Sequence, residues 1–247
     1  MLETLRVTPM NPVISIVLPV EDTEHALDHT LRGYVAALDG LGRTWELLLV
    51  PQMGDGDGTS HERLTSISEG IRLSSPGNGW GGRVRAGLRA SSGDVLCYTN
   101  WRRTSARALS EMLDVALRNP DLVLRANRRT RDTRIQRLGS LLFNLECRFL
   151  LQIPCWDING TPKVFPRAFT KLLDLKRDDD LIDAEFALVC ERAAYPVIEI
   201  PVDAELVPGA GVASSPDYPA ALRMYAGVRG LRTKVDAGAK HPQTLTP

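Results

Sequence analysis

Neither sign of charge prevails in this chain: 30 Lys and Arg residues stand against 30 Asp and Glu. A zero balance offers no overall field to nucleic acid or an anionic membrane, so only local clusters can recognise charged partners. No apolar run approaches the roughly 20 residues a spanning helix needs. No basic stretch followed by an apolar core opens the sequence, so it carries no sign of a secretory leader. The expected location is the cytoplasm, with peripheral attachment to a membrane left open. The four cysteines, Cys97, Cys147, Cys155 and Cys190, include no CxxC pair and sit in apolar surroundings. That is the pattern of buried free thiols in a reducing compartment, not of a disulfide or zinc framework. The histidines are equally sparse. His25 and His29 share a helix face but lack further ligands, so they read as surface residues.

The 247 residues suit one α/β domain, large enough to bury a core without covalent staples. Ile14 to Val20 is a short apolar run that reads as a buried strand. Leu27, Leu31, Val35 and Leu38 recur at helical spacing. Trp45 to Val50 is a second buried strand, broken by Gly54-Asp55-Gly56-Asp57-Gly58. Ser66 to Leu73 alternates like a strand, and the stretch from Arg83 to Ala90 is helical. Val95 to Thr99, Asp121 to Leu124, Thr161 to Phe165 and Pro196 to Val202 read as strands. Ser105 to Arg118, about Ile135 to Leu151, and Asp180 to Ala193 read as helices. Alternating strands and helices imply a mainly parallel sheet covered on both faces, with ligands bound at the carboxyl ends of the strands. The loops at 51–59, 74–82 and 100–104 should line that edge. Residues 1–203 are expected to form the domain. Residues 204–247, rich in Gly, Pro and Ala, are expected to add one amphipathic helix and a flexible end.

Gly77-Asn78-Gly79-Trp80-Gly81-Gly82 fits GxGxxG before a helix. It follows the third strand, and no acidic residue ends a strand about 20 residues later, so it does not read as a dinucleotide site.

Three segments carry a family resemblance: the opening strand with Pro19-Val20, Gly79 to Asp94, and Asp157-Ile158-Asn159-Gly160-Thr161-Pro162-Lys163-Val164-Phe165. Arg137-Leu138-Gly139-Ser140 with Asn144, Asp183-Ala184-Glu185-Phe186 and Glu199-Ile200-Pro201-Val202 follow in the same order. Together they resemble family-2 glycosyltransferases, and in particular the polyprenyl-phosphate sugar transferases, over about residues 13–203. The resemblance implies a GT-A fold, a Rossmann-like single domain. It also implies a nucleotide sugar bound across the first strand ends, a DxD motif holding Mg2+ or Mn2+, and inverting attack by an acceptor.

The chain departs from that pattern where the donor should sit. Pro51-Gln52 replaces the expected aspartates after the second strand, and Asn100-Trp101-Arg102 replaces DxD. A hard divalent cation wants anionic oxygens, so no metal ligand set is expected and neither Mg2+ nor Mn2+ is anticipated. Arg102 either neutralises a diphosphate directly or marks a site where donor binding is lost. The candidate donor-binding residues are Pro19, Glu21, Gln52, Asp55, Trp80, Asn100 and Arg102. On the acceptor side, Arg128, Arg131, Arg137, Ser140 and Lys163 are candidates for phosphate binding, within a run that also holds Arg125, Arg129 and Arg134. Lys163 pairs with Asp157 or with a phosphate. Asp157 and Asp183 match acidic positions of the family, and either could act as a general base. Set against these roles, Asp157 also reads as a turn carboxylate, Asp183 as a helix-face charge, and the arginines as a solvated loop. Two functions stay open. One is transfer of a sugar from a nucleotide donor to a polyprenyl phosphate or a hydroxyl acceptor. The other is an inactive pseudo-glycosyltransferase that binds a phosphate-bearing small molecule or a partner transferase.

Overall fold

The computed structural model describes residues 14–20, 25–54, 59–128, 144–203 and 227–228. Seven strands form one sheet in the order β3-β2-β1-β4-β6-β5-β7. They are β1 (Ile14–Val20), β2 (Trp45–Pro51), β3 (Ile71–Leu73), β4 (Val95–Tyr98), β5 (Val123–Arg128), β6 (Lys163–Pro166) and β7 (Val197–Val202). β3, β2, β1 and β4 pair in parallel, as do β5 and β7. β6 alone runs antiparallel to both its neighbours. The sheet is mainly parallel, as expected, and β1 is buried along its whole length.

Alternate strand residues feed two cores. Ile14, Ile16, Leu18 and Val20 of β1 face one layer, with α1 (His25–Asp39) and α4 (Ala106–Arg118) packed over them. In α1 the buried set is Leu27, Leu31, Tyr34 and Leu38, and Tyr34 donates its hydroxyl proton to the Thr104 carbonyl at 2.7 Å. Each buried Leu of this face contributes roughly 1.5–3 kcal/mol. α4 starts at Ser105, whose hydroxyl accepts from the Ala108 N–H at 3.2 Å, an N-cap of the usual kind. Val17 faces the opposite layer, where α3 (Gly79–Ala90), the 3-10 turn Thr170–Leu173 and α6 (Ile182–Arg192) supply Val84, Leu88, Leu172, Ile182 and Phe186. Residues 144–151 are helical (α5). With α6 and Val228 they build a third cluster around Cys147, Cys155 and Leu188. All four cysteines are free and buried.

The alternation at Ser66 to Leu73 misleads. A helix, α2 (Thr59–Thr65), precedes it, and only Ile71–Leu73 is strand. Ser66 closes the helix by donating its N–H to the Glu62 carbonyl and its hydroxyl to the Arg63 carbonyl. The chain then crosses the Trp45 ring at Gly70, where a Cβ would lie 2.5 Å from ring carbon.

Candidate active site

Loops at the carboxyl edge of the sheet enclose a cleft of about 310 Å3 lined by Trp80, Arg83, Asn100, Arg103, Arg128, Asn159, Thr161, Asp180 and Asp183. Topology explains the convergence. β4 and β5 point the same way, so Asn100 follows one strand while Arg128 ends the other, and the antiparallel β6 begins just after Thr161 at the same edge. The amino ends of α3 and α6 complete the wall.

Close backbone packing governs the start of α3. An added Cβ at Gly81 would lie 2.5 Å from the Arg177 carbonyl oxygen, and one at Gly79, where φ is +66°, would lie 2.6 Å from the Asp178 carbonyl oxygen. Gly82 donates its N–H to that Asp178 carbonyl at 3.0 Å. The glycine run therefore brings residues 177–179 against the helix end, and it is this contact that carries Asp180 and Asp183 to the cleft. Gln52 fastens the same turn. Its Oε1 accepts from the Gly79 N–H at 3.2 Å, and its Nε2 donates to Asn78 Oδ1 at 3.1 Å. Arg83, nearly buried, donates from Nη1 to the Val20 carbonyl at 2.9 Å and from Nε to the Gly79 carbonyl at 3.1 Å. A cation is thereby held at the end of β1, a residue the sequence reading passed over.

Two ion pairs shape the opposite wall. Arg128 grips Asp157 at two points, Nε to Oδ2 at 2.7 Å and Nη2 to Oδ1 at 2.8 Å, and the Arg128 N–H adds a third bond at 3.2 Å. Both side chains are nearly buried, and a bidentate pair of this kind fixes the guanidinium plane. Asp183, in the first turn of α6, accepts at Oδ1 from the Tyr98 hydroxyl at 2.8 Å and from the Lys163 ammonium. Burial pulls the Lys163 ammonium below the usual lysine range, against the opposing pull of the Asp183 carboxylate. Burial, with Asp183 adding to it, pushes the Tyr98 phenol well up.

Of the expected donor residues, Trp80 and Asn100 line the cleft, and Gln52 is committed to the turn before α3. Pro19 is buried within β1. Asn100 Oδ1 accepts from the Arg102 N–H at 3.0 Å and so caps the turn Trp101–Arg103. The Arg102 guanidinium lies 5.2 Å from the Trp101 ring centre, and Arg103 is the arginine of that turn in the cleft wall. Glu21, Asp55, Arg131, Arg137 and Ser140 lie outside the described residues. Lys163 pairs with Asp183, not with Asp157, because β6 places it below Tyr98 and under α6. Asp180, read from the sequence only as the start of a helix, stands two residues ahead of α6 in the cleft wall, and no motif marks it.

No protein-family model and no curated protein matches the chain. Solved structures do match. Glucosyl-3-phosphoglycerate synthase from Mycobacterium tuberculosis, in complex with Mn2+, UDP-glucose and phosphoglyceric acid, superposes with a TM-score of 0.65 at 15% identity, over 94% of this chain and 82% of that one. The same enzyme with Mg2+ and UDP gives 0.58 at 17%, over 78% and 70%. A mycobacterial protein gives 0.64 at 16%, over 89% and 75%. What the chain shares with them is the GT-A-like fold, a mostly parallel sheet flanked by helices. The synthase complexes overturn the expectation that Mg2+ and Mn2+ play no part, since they were crystallised with one or the other beside UDP or UDP-glucose. That expectation rests on Pro51-Gln52 after β2 and Asn100-Trp101-Arg102 after β4. The fold adds Asp180 from a distant segment, and a Mg2+ ion needs only one or two carboxylates when phosphate oxygens complete its shell. The cleft also offers Asn159 Oδ1, buried and without a hydrogen-bond partner among the described residues. Among those residues no three acidic, thiol or imidazole groups converge.

Proposed function

We propose that this chain is a family-2-like glycosyltransferase that moves a sugar from a nucleoside diphosphate to an acceptor in the cleft at the carboxyl edge of β1, β4 and β5. The observation that carries the reading is the convergence in one cleft of a carboxylate, Asp183, with the cations Arg83, Arg103 and Arg128. Such a site matches an anionic donor and a hydroxyl to be deprotonated. Asp180 and the amide oxygens of Asn100 and Asn159 would hold a divalent ion together with phosphate oxygens, and the ion would supply charge neutralisation at the diphosphate.

The chain's own part is positioning and proton handling. Arg83, fixed by two carbonyls, holds positive charge beside the diphosphate, and Trp80 offers an aromatic face to base or sugar. Arg128, its plane set by Asp157, takes an anionic group of the acceptor. The acceptor oxygen attacks the anomeric carbon as the bond to the nucleotide's terminal phosphate oxygen breaks. The hydroxyl proton passes to Asp183 Oδ2. A polyprenyl-phosphate acceptor is already ionised and would need no base, so the acceptor decides whether Asp183 is essential. UDP release from UDP-glucose with Mn2+, compared between phosphoglyceric acid and a polyprenyl phosphate, tests the reading. Release with either acceptor, lost in Arg128→Met, is expected; no release with both removes the transferase assignment. The pseudo-transferase reading draws on Gln52, which the helix turn occupies, and on Asn100, which caps its own loop. It requires UDP binding without turnover.

A further inference from the structure

Four polar residues stand in register across the sheet on one line: Tyr98 opposite Lys163, Lys163 opposite Arg125, and Arg125 opposite Glu199. Residues directly opposite share a face, and this face looks towards α6 and the cleft floor. Two members of the row, Tyr98 and Lys163, are wholly buried. Burying an ammonium costs more than burying an apolar side chain of the same size, and a buried ion pair is by itself weak evidence of stabilisation. Yet Lys163 is held with its Nζ 5.3 Å from the Tyr98 ring centre and 5.9 Å from that of Phe186, and both its ammonium and the Tyr98 hydroxyl converge on a single atom, Asp183 Oδ1. No hydrogen bond reaches Oδ2 among the described residues, and Asp183 lines the cleft. One carboxylate oxygen is thus anchored twice, and the other is left without a hydrogen bond among the described residues, in a residue that lines the cleft.

We infer that Tyr98 and Lys163 are positioning residues for the transfer reaction: they clamp one oxygen of Asp183 so that the other meets the acceptor hydroxyl. The inference rests on the assignment of Asp183 as the base. A clamped carboxylate cannot rotate away, which matters because a general base must sit within hydrogen-bond reach of the proton it removes. The two residues themselves touch no substrate, so they act on the rate and leave substrate binding alone.

Steady-state release of UDP from UDP-glucose, with Mn2+ and phosphoglyceric acid, is measured for the wild type, Tyr98→Phe, Lys163→Met and Asp183→Asn. General-base catalysis is worth roughly 100- to 10,000-fold. Tyr98→Phe, which removes one anchor, is expected to lower kcat about tenfold with KM for UDP-glucose unchanged. Lys163→Met should approach Asp183→Asn. In the Asp183→Asn background, Tyr98→Phe should change kcat no further. Tyr98→Phe removes a single oxygen and keeps the test open should Lys163→Met fail to fold. If Asp183→Asn loses activity while Tyr98→Phe keeps full kcat, or if Tyr98→Phe raises KM as much as it lowers kcat, the clamp is refuted and the base assignment survives. If the wild type releases no UDP, or Asp183→Asn turns over as fast as wild type, the base assignment falls and the clamp with it.

Discussion

Adjacent glycines at the start of α3 should respond to the same substitution with opposite signs. An alanine Cβ at Gly81 would lie 2.5 Å from the Arg177 carbonyl oxygen, 2.7 Å from that of Asp179 and 2.8 Å from the Asp178 carbonyl carbon. All three are backbone atoms and cannot swing aside as a side-chain tip would. At Gly82 the nearest atom is Asp178 Oδ1 at 3.5 Å, an ordinary contact. Both substitutions gain the same helix propensity, at most about 1 kcal/mol, so their difference isolates the collision. Overpacking of this kind costs about 1–3 kcal/mol. For a domain of this size each kcal/mol moves Tm by about 2–4 °C. Gly82→Ala should therefore melt at or slightly above the wild type, and Gly81→Ala at least about 2 °C and up to about 12 °C below Gly82→Ala. Thermal unfolding by circular dichroism reads both. Equal melting temperatures would refute the close approach of residues 177–179 to α3, and with it the account of how Asp180 and Asp183 reach the cleft.

Other consequences are as direct. Asp157→Asn strips the buried Arg128 of its bidentate partner and should cost on the order of 3 kcal/mol in urea unfolding. The cost should shrink in an Arg128→Met background, and an undiminished cost would show that the pair is not the reason. Val228, fully buried against the third cluster, should cost on the order of 1–2 kcal/mol when cut to Ala; a neutral Val228→Ala would detach that stretch from the domain. Burial pushes the thiols of Cys147, Cys155 and Cys190 up to about 12 and that of Cys97 higher still. The native state then holds more protons than the unfolded chain above about pH 8.5, so stability should fall as pH rises from there towards 12. Native protein at pH 8 should resist iodoacetamide, and rapid alkylation of the folded chain would contradict the burial.

Much of the architecture is written in local patterns. The run Ile14 to Val20 can only be a doubly covered strand, and Leu27, Leu31 and Leu38 mark a helix face without ambiguity. Where neighbours in space decide, the pattern is silent. Ser66 to Leu73 alternates, yet its polar half belongs to the close of α2 because Gly70 must pass over Trp45. The site divides in the same way. Trp80, Asn100, Arg128 and Asp183 stand at strand ends or helix starts and were legible as cleft residues. From the sequence Lys163 pairs with a phosphate or with Asp157, since nothing there reveals that β6 runs antiparallel and carries it beneath α6. Arg83 reads as an ordinary helix residue, and Asp180 reads as the first residue of a helix that in fact begins at Ile182. The metal expectation weighed the residues after β2 and β4, whereas Asp180 enters the cleft from a segment far along the chain.

Titration calorimetry with UDP, in the presence and absence of Mn2+, addresses the central claim most directly. UDP should bind to the wild type, more tightly with Mn2+, and Asp180→Ala should erase the Mn2+ enhancement while leaving the fold intact. An absence of UDP binding under both conditions, or a Mn2+ enhancement untouched by Asp180→Ala, would contradict the account of this cleft.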